Sequence, residues 1–498
     1  MRNKHDLVPA QPLPLKKRAP NSLRAPGDDH KWVIETAKQD LDAIDSDYGI
    51  IKRVETLNYR SLRDVSQILR PLEVLVGANA SGKSTFIDVF ALVRDFIRDG
   101  LDQALLFNNG VVGGRAGSLD ELVFDGSADH FEIVLELTVP RPLIQPHDIN
   151  GTEYVYDIAR YELAIGTTDL GELDVQTERL WLIDSRRRME PVPPKPDDRS
   201  DVFPVEVAPR RTLLHDATIT IDIAARNILV GQASDYWRPV AIQSMSNRGN
   251  VSYFSEQHSW NDSYRVGVRR SVLSSLPEDP ERFPIAIWVR NVLRDGIRVL
   301  ALNSAAMRRP VSPSASREFD VEGANLPLVI QDLQKQQYTS YNDWVQHVKT
   351  VLPDIEEIHV RERSDDRFRY LSIKYSRMAS QVPSWLISDG TMRVLTLTLL
   401  AYLPEQPRIY LIEEPENGIH PKAIEGIFQS LSSVYNGQVL IATHSPLFLS
   451  LAQPKQILCF GRTPAGAVNI ISGERHPALR HWHGQTDLAT LYAAGVLG

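Results

Sequence analysis

The sequence is poor in cysteine and has no long apolar run, and each shortage excludes a class of protein. Its 498 residues include one cysteine, Cys459, which can form neither an internal disulfide nor a cysteine metal site. No apolar run approaches the roughly 18 residues that a membrane-spanning helix needs. The N-terminus also lacks the apolar core of a secretory signal. We therefore expect a cytoplasmic protein without a membrane partner.

Charge and composition are those of an ordinary folded chain. Lysine and arginine total 55 against 63 acidic residues, which gives a net charge of −8, and 42% of the residues are hydrophobic. This composition excludes a disordered or collagen-like chain. Mild acidity argues against a protein coated with nucleic acid, although it leaves a local basic face open. Sustained heptads and internal repeats are also missing from the sequence, so we expect no long coiled-coil arm.

The chain divides into four predicted regions. Residues 1–30 are proline-rich and basic, which is typical of a flexible tail. Residues 48–144 and 371–498 alternate between strand-like and helix-like patterns, which predicts a mostly parallel sheet flanked by helices. Residues 145–370 contain proline-rich breaks between shorter elements and predict a compact α+β insertion, or lid domain.

A phosphate-binding loop is predicted at residues 77–85. The run Gly77-Ala-Asn-Ala-Ser-Gly-Lys-Ser-Thr85 fits the pattern G-x-x-x-x-G-K-[ST], follows an apolar strand and opens a helix with an apolar face. Backbone N–H groups of such a loop converge on anionic oxygens, and the helix N-terminus adds a partial positive charge. Lys83 is predicted to contact the β- and γ-phosphates, Ser84 to bind Mg²⁺, and Thr85 to lie near the α-phosphate. The nucleotide would be cradled by the remaining loop residues Gly77, Asn79, Ala80, Ser81 and Gly82.

Two adjacent carboxylates follow a second apolar strand, at residues 408–412. A carboxylate at the end of a buried strand beside the P-loop faces the metal site, so Glu413 is predicted to hold Mg²⁺ through water. The next residue, Glu414, is placed to accept a proton from the attacking water and is predicted to be the general base.

Two further motifs are weaker when taken alone. Thr443-His444-Ser445 ends another apolar strand, where His444 could bond the γ-phosphate, although a lone histidine is more often structural. Ser388-Asp-Gly-Thr391 precedes an apolar helix, so Ser388 and Gly390 could form a second anion-binding helix terminus or only a helix cap.

In this order the motifs resemble the ATP-binding-cassette (ABC) ATPase superfamily in its RecF/SMC-like branch. More narrowly, they resemble the ATPase part of the OLD (overcoming-lysogenization-defect) family and related stand-alone anti-phage ATPases. The matching segments are Asn58–Leu62, Leu386–Thr391, Leu411–Pro421 and Ala442–Pro446. The resemblance implies an ABC-type P-loop NTPase fold, with one ATPase lobe at 48–144 and the other, carrying the signature, Walker B and switch histidine, at 371–498.

The same resemblance implies roles and partners. Two copies would pair head to tail, as a homodimer or higher homo-oligomer, around ATP and Mg²⁺. Ser388 and Gly390 would act as the signature on the partner's nucleotide, and Arg60 would approach the phosphates. Glutamate at 413, where transporters have aspartate, fits this branch. No Q-loop glutamine is obvious, and Gln103 is a weak candidate.

The implied function is an ATP-hydrolysing molecular switch in anti-phage defence that controls a separate effector, such as a nuclease or toxin. The residues after His444 are too few for a Toprim nuclease domain, so any cleavage of DNA is expected from another subunit. The alternative is a RecF-like repair or replication ATPase that binds DNA. Arginine runs occur at 186–188, 210–211 and 269–270, and Arg290, Arg294 and Arg298 lie on one predicted helix face. They are explained either by salt bridges or by a surface for DNA or an effector.

Overall fold

A computed structural model of the protein describes most of the chain from residue 49 onward. The described residues are 49–105, 114–126, 128–168, 170–188, 203–216, 218–222, 227–231, 236–244, 250–257, 261–267, 269–404, 406–479 and 488–493. The predicted tail at residues 1–30 lies outside them. Among the described residues, no helix has both the length and the apolar character needed to cross a bilayer.

The strands are numbered in chain order. They are β1 Ile51–Tyr59, β2 Leu62–Ile68, β3 Leu72–Val76, β4 His130–Thr138, β5 Pro146–Ile149, β6 Thr152–Val155, β7 Ile158–Thr167, β8 Leu173–Ile183, β9 Thr218–Asp222, β10 Asn227–Gly231, β11 Trp237–Ser244, β12 Asn250–Phe254, β13 Asn261–Arg265, β14 Ile297–Leu300, β15 Ile355–Glu362, β16 Arg369–Tyr375, β17 Val382–Pro383, β18 Arg408–Glu413, β19 Gly437–Ala442, β20 Ile457–Arg462 and β21 Val468–Ser472.

The α-helices are numbered in the same way. They are α1 Lys83–Asp99, α2 Leu101–Leu105, α3 Pro284–Asn291, α4 Ser304–Met307, α5 Leu326–Gln336, α6 Tyr338–Val351, α7 Asp389–Leu399, α8 Pro421–Ser432, α9 Pro446–Leu451 and α10 Leu488–Ala493.

A six-stranded sheet positions the predicted motifs. Its strand order is β14-β18-β19-β3-β20-β21, and every pair in it is parallel except β20 with β21. Strand β3 is buried along its whole length because its five residues, Leu-Glu-Val-Leu-Val, lie in the middle of this sheet. The carboxyl ends of β3, β18 and β19 therefore meet at one edge, where ligands of open parallel sheets bind.

A second sheet is antiparallel throughout and has the order β13-β12-β11-β8-β7-β4-β1-β2. Helix α1 packs between the two sheets, since its apolar face joins one hydrophobic core with residues of both sheets. Phe86, Phe90 and Phe96 of this helix are fully buried. Removing a buried phenylalanine side chain costs about 3–5 kcal/mol, so this face fixes the helix that follows the P-loop.

The predicted α/β class, a mostly parallel sheet flanked by helices, is confirmed. The boundaries predicted at residues 145 and 370 do not coincide with boundaries between sheets. Strands β7, β8 and β11 to β13 extend the antiparallel sheet that β1, β2 and β4 begin, and β14 is the edge strand of the parallel sheet. Residues 145–300 thus contribute to both sheets, because strands that share hydrogen bonds also share a core.

The three arginines predicted to line one helix face do not share a helix. Helix α3 ends at Asn291, a π turn follows, and Arg298 lies on β14, where pairing with β18 replaces the helical hydrogen bonds. Each of these arginines has an acidic partner: Arg290 pairs with Glu278, Arg294 with Asp295, and Arg298 with Glu318. The runs at 186–188 and 210–211 also contain paired arginines, so salt bridges explain much of this arginine content.

Candidate active site

The P-loop joins the end of β3 to the first turn of α1, as the sequence predicts. Gly82, the residue before the helix, has a φ of +102°, and a Cβ atom there would lie 2.5 Å from Val468 Cγ2. A larger residue would be strained at this φ and would collide with β21. Ala80 also has a positive φ, of +61°. The positive φ values curl the loop, which is the backbone form that P-loops use to present N–H groups to an anion.

Lys83 reaches back across the loop from the first residue of α1. Its Nζ donates hydrogen bonds to the carbonyl oxygens of Gly77, at 2.8 Å, and Ala78, at 3.0 Å. Burial lowers the pKa of Lys83, and the carboxylates of Glu413 and Glu414 partly offset this effect. The ammonium group thus lies within reach of both the loop and the acidic strand end.

The hydroxyl of Ser84 donates to Glu413 Oε2 at a distance of 3.0 Å. Glu413 is the last residue of β18, and β19 lies between this strand and β3. A hydroxyl and a carboxylate oxygen are ligands that Mg²⁺ prefers, so the two residues fit the metal that the sequence predicts for them. In the described part of the chain, no group of three or more His, Cys, Asp or Glu could hold a metal ion. This arrangement suits a metal that arrives with the nucleotide phosphates.

Glu414 is held in an uncommon backbone conformation. Its φ is +47°, a value that few residues other than glycine adopt. The backbone N–H of Glu414 donates to Ala442 O at 2.8 Å, and the Asn417 side-chain amide donates to Glu414 Oε2. These bonds fix an exposed carboxylate at the sheet edge, where a water molecule can reach it.

The loop after β18 and the end of β19 are joined through Glu416, which was not singled out from the sequence. Thr443 Oγ1 donates to Glu416 Oε1 at 2.5 Å, and the backbone N–H of His444 donates to the same oxygen at 3.3 Å. Thr443 N donates to Leu75 O at 3.2 Å, so this turn also contacts β3. The position of His444 is thus tied to both strands that carry the other motifs.

The P-loop, the acidic end of β18 and His444 line one cleft of about 730 Å³. Of the predicted site residues, the cleft brings together Arg60, Asn79, Ala80, Ser81, Gly82, Lys83, Ser84, Thr85, Glu413, Glu414 and His444. Lining residues that the sequence reasoning missed are Ser61, Arg115, Glu121, Ala442 and Arg462. Gln103, the weak Q-loop candidate, is not among the lining residues. No local motif marks Arg115, which lies in an irregular segment, or Glu121, which ends a 3-10 turn at Leu119–Glu121.

Arg60 lies at the end of β1 with a φ of +49°. Its backbone N–H donates to Leu122 O at 2.7 Å, its Nη1 lies 3.2 Å from Asp88 Oδ2, and its Nη2 donates to Arg115 O at 3.0 Å. The side chain is 30% exposed and forms part of the cleft wall.

Ser388 and Gly390 are not among the residues that line the cleft. Ser388 caps helix α7, with its Oγ accepting from Thr391 N at 3.2 Å. Arg308 supports this terminus by contacting Asp389 Oδ1 at 2.7 Å and Ile387 O at 2.8 Å. A Cβ atom at Gly390 would lie 2.6 Å from the carbonyl oxygen of Gly418, so only glycine allows this close packing.

The buried β3 strand, the curled loop after it, the Ser84–Glu413 contact and the second acidic residue are the features of a P-loop NTPase. Residues 73–220 and 245–450 match the family described as "AAA domain, putative AbiEii toxin, Type IV TA system". The match covers more than half of the chain, and the chain belongs to this AAA-domain family. No curated protein matches it.

Several solved SMC head structures share similarity with the chain. The SMC head bound to the C-winged helix domain of ScpA has a TM-score of 0.43 and 12% identity, over 85% of this chain and 97% of that chain. The SMC head with an extended coiled coil, bound to the C-terminal domain of ScpA derived from Pyrococcus furiosus, has a TM-score of 0.43 and 11% identity, over 85% and 96%. The SMC head from Thermotoga maritima has a TM-score of 0.34 and 11% identity, over 85% and 98%.

Proposed function

We propose that this chain is an ATP-hydrolysing molecular switch that closes as a dimer around ATP and controls a separate effector. The observation that carries the proposal is the meeting of Lys83, the Ser84–Glu413 pair and Glu414 in one cleft. Family membership independently supports a P-loop ATPase.

The chain's own residues account for binding and for proton transfer. Backbone N–H groups of the P-loop and Lys83 would hold the β- and γ-phosphates, with Arg60 as a further cation. Ser84 and Glu413 would hold Mg²⁺, which neutralises charge on the phosphate oxygens when bound. Glu414 would accept a proton from the water that attacks the γ-phosphorus. As the new P–O bond forms, the bond to the bridging oxygen breaks and ADP leaves with phosphate.

The position of the signature residues supports a dimer. Ser388 and Gly390 lie at the N-terminus of α7, outside the cleft of their own chain, so we expect this terminus to cap a nucleotide held by another copy. A helix N-terminus is suited to this because its free N–H groups and partial positive charge attract phosphate. The nucleotide would then be enclosed only when two copies meet.

Control of an effector in anti-phage defence rests on the OLD-like motifs. The family description, which names a toxin and a type IV toxin–antitoxin system, also fits an ATPase that holds an effector in check. Glu413-Glu414-Pro-Glu416 and Thr443-His444-Ser445 are the segments that carry this resemblance, and Glu416 joins them physically.

The test is phosphate release from Mg²⁺-ATP by the purified chain, measured with equilibrium nucleotide binding. We expect hydrolysis by the wild type, and a loss of ATP affinity of at least tenfold in Lys83→Ala. Lys335→Ala, an exposed lysine on α5, is the matched control and should behave like the wild type. Unchanged ATP binding in Lys83→Ala would contradict the assignment of the loop.

Action of the signature on a second copy has its own experiment. Ser388→Arg and Lys83→Ala chains are inactive alone if each lacks one half of every composite site. Mixed heterodimers, however, contain one complete site and should recover hydrolysis. The contradicting outcome is an absence of ATP hydrolysis in heterodimers that mass measurement shows to form, while the wild type is active. It would count against the dimeric site but not against the ATP site itself.

A further inference from the structure

Arg115 connects the wall of the cleft to two helices. Its guanidinium is 5% exposed, and it contacts Asp88 Oδ1 at 2.8 Å and Asp95 Oδ2 at 2.7 Å, both on α1. Its Nη1 also donates to the carbonyl oxygen of Ala104 on α2. A planar guanidinium can hold three such acceptors in fixed directions, which a lysine ammonium on a flexible chain cannot reproduce.

Toward the nucleotide, Arg115 shares a partner with Arg60. Asp88 Oδ2 lies 3.2 Å from Arg60 Nη1 and accepts a hydrogen bond of 2.6 Å from the Tyr59 hydroxyl. Arg60 Nη2 also donates to the backbone oxygen of Arg115. If Arg60 turns to a phosphate in the cleft, Asp88 keeps only Arg115 and Tyr59 as its partners among the described residues. Arg115 is then the one cation of the two, so the attraction between Asp88 and Arg115 becomes stronger.

Away from the nucleotide, the contacts continue to the region predicted as an insertion. The backbone N–H groups of Arg115 and Ala116 donate to Leu105 O, at 2.8 and 3.2 Å. At the other end of α2, Leu101 N donates to Arg269 O at 3.0 Å, and Arg269 Nη2 lies 2.7 Å from Asp102 Oδ1. Helix α2 is only five residues long, so a shift at one end reaches the other.

We propose that Arg115 is a positioning residue that couples nucleotide occupancy of the cleft to the segment beginning at Arg269, through α2. The inference rests on the proposed ATP site and deepens it. Phosphate binding draws Arg60 from Asp88, the Asp88–Arg115 contact tightens, and Arg115 moves Ala104 and Leu105 with it. The Asp102–Arg269 pair then transfers this shift to the segment after residue 269. This route needs no Q-loop glutamine, which the sequence does not provide.

The experiment compares hydrogen–deuterium exchange with and without the non-hydrolysable analogue AMP-PNP and Mg²⁺, in samples whose nucleotide binding is measured directly. In the wild type, nucleotide should slow exchange in residues 101–105 and 269–276. Arg115→Lys keeps the charge but cannot hold both carboxylates and Ala104, so, when AMP-PNP is present at a concentration measured to saturate this variant, it should lose the nucleotide-dependent change at 269–276. A purely structural role would alter exchange equally with and without nucleotide.

Asp102→Asn provides a second variant that should fold, because the Asp102 side chain is 50% exposed. It should at least halve the nucleotide-dependent change at 269–276 and retain the change at 101–105. Asp99→Asn is the matched control, since Asp99 pairs with Arg98 on the surface, and it should match the wild type. Two results would overturn the coupling alone. One is a wild type that binds nucleotide without a change in exchange at 269–276, and the other is a full wild-type change in exchange in both Arg115→Lys and Asp102→Asn. A wild type that binds no nucleotide would overturn the proposed function as well.

Discussion

Ser84 and Glu413 are 329 positions apart in the chain, and the hydroxyl of Ser84 donates a 3.0 Å hydrogen bond to the carboxylate of Glu413. The contact exists because β3 and β18 are parallel strands of one sheet, separated by β19. The P-loop follows the end of β3 and leads into α1, which carries Ser84. It places a hydroxyl and a carboxylate oxygen side by side, as the proposed Mg²⁺ site requires.

Ser84→Ala should remove one of these ligands and leave the phosphate cradle intact. We therefore expect ATP affinity in the presence of EDTA to match that of the wild type, and the gain in affinity on adding Mg²⁺ to fall by about tenfold. Fluorescent-nucleotide titration with and without Mg²⁺ measures both quantities. Ser432→Ala, at an exposed position of α8, is the control. A full Mg²⁺ effect in Ser84→Ala would refute the metal assignment.

Glu414→Gln should preserve shape and ATP binding while removing the proton acceptor. Loss of a general base lowers the rate by roughly 10²–10⁴-fold, so hydrolysis should fall by at least two orders of magnitude. ATP-bound dimers should then accumulate, as measured by light scattering. Glu425→Gln, an exposed glutamate on α8, should leave both properties at wild-type values. Wild-type turnover in Glu414→Gln would show that another group takes the proton.

Thr443→Val should destabilise the fold without a change in side-chain size. The Thr443 hydroxyl donates to Glu416 and accepts from Ser445 N at 2.9 Å, and the residue is fully buried. Leaving such buried partners unsatisfied costs about 1–3 kcal/mol. The free energy of unfolding in urea measures the loss. Thr350→Val, on the exposed face of α6, should change it by less than about 0.5 kcal/mol.

Glu73, the second residue of β3, should make stability fall as pH rises. Burial raises the pKa of Glu73 to about 8, against which the Arg70 backbone hydrogen bond acts only in part. In the unfolded chain a glutamate has a pKa of about 4.3. Between these values the folded state retains a proton that the unfolded state has released. Raising the pH through this window therefore favours unfolding, and the loss is complete above about pH 8.

Glu73→Gln keeps the acceptor for Arg70 N and removes the titration. Relative to the wild type, it should gain on the order of 1–3 kcal/mol of stability between pH 5 and pH 8. Urea unfolding at several pH values measures the difference in unfolding free energy between Glu73→Gln and the wild type. The other titrating groups contribute equally to both proteins and cancel in this difference. Glu356→Gln, an exposed glutamate on β15, should show no such gain. Parallel pH profiles for Glu73→Gln and the wild type would mean that Glu73 is ionised in the folded protein.

Sequence predicted the P-loop well because its geometry is local: strand, glycine-rich turn and helix follow one another within a few residues. It also predicted that Glu413 and Glu414 lie near the loop, since parallel strands end at one edge. The strand β2 was not predicted, because Arg63, Asp64 and Ser66 interrupt its apolar pattern.

Features that depend on contacts between distant segments were beyond sequence reasoning. Arg115 lies in an irregular stretch, and its importance comes from Asp88, Asp95 and Ala104, which only the fold brings to it. Helical spacing misassigned Arg298 because pairing of β14 with β18 outweighs local helix preference. The predicted boundary at residue 145 separated β4 from β7 and β8, which belong to the same antiparallel sheet. Pairing between separate strands leaves no local pattern in the sequence.

The packing of Gly390 against Gly418 has a mechanical consequence. There is no room for even a methyl group between them, so the helix cap at Ser388 packs directly against the turn that carries Asn417. The side-chain amide of Asn417 in turn donates a hydrogen bond to Glu414 Oε2. A short run of direct contacts therefore links the helix cap at Ser388 to the carboxylate of Glu414.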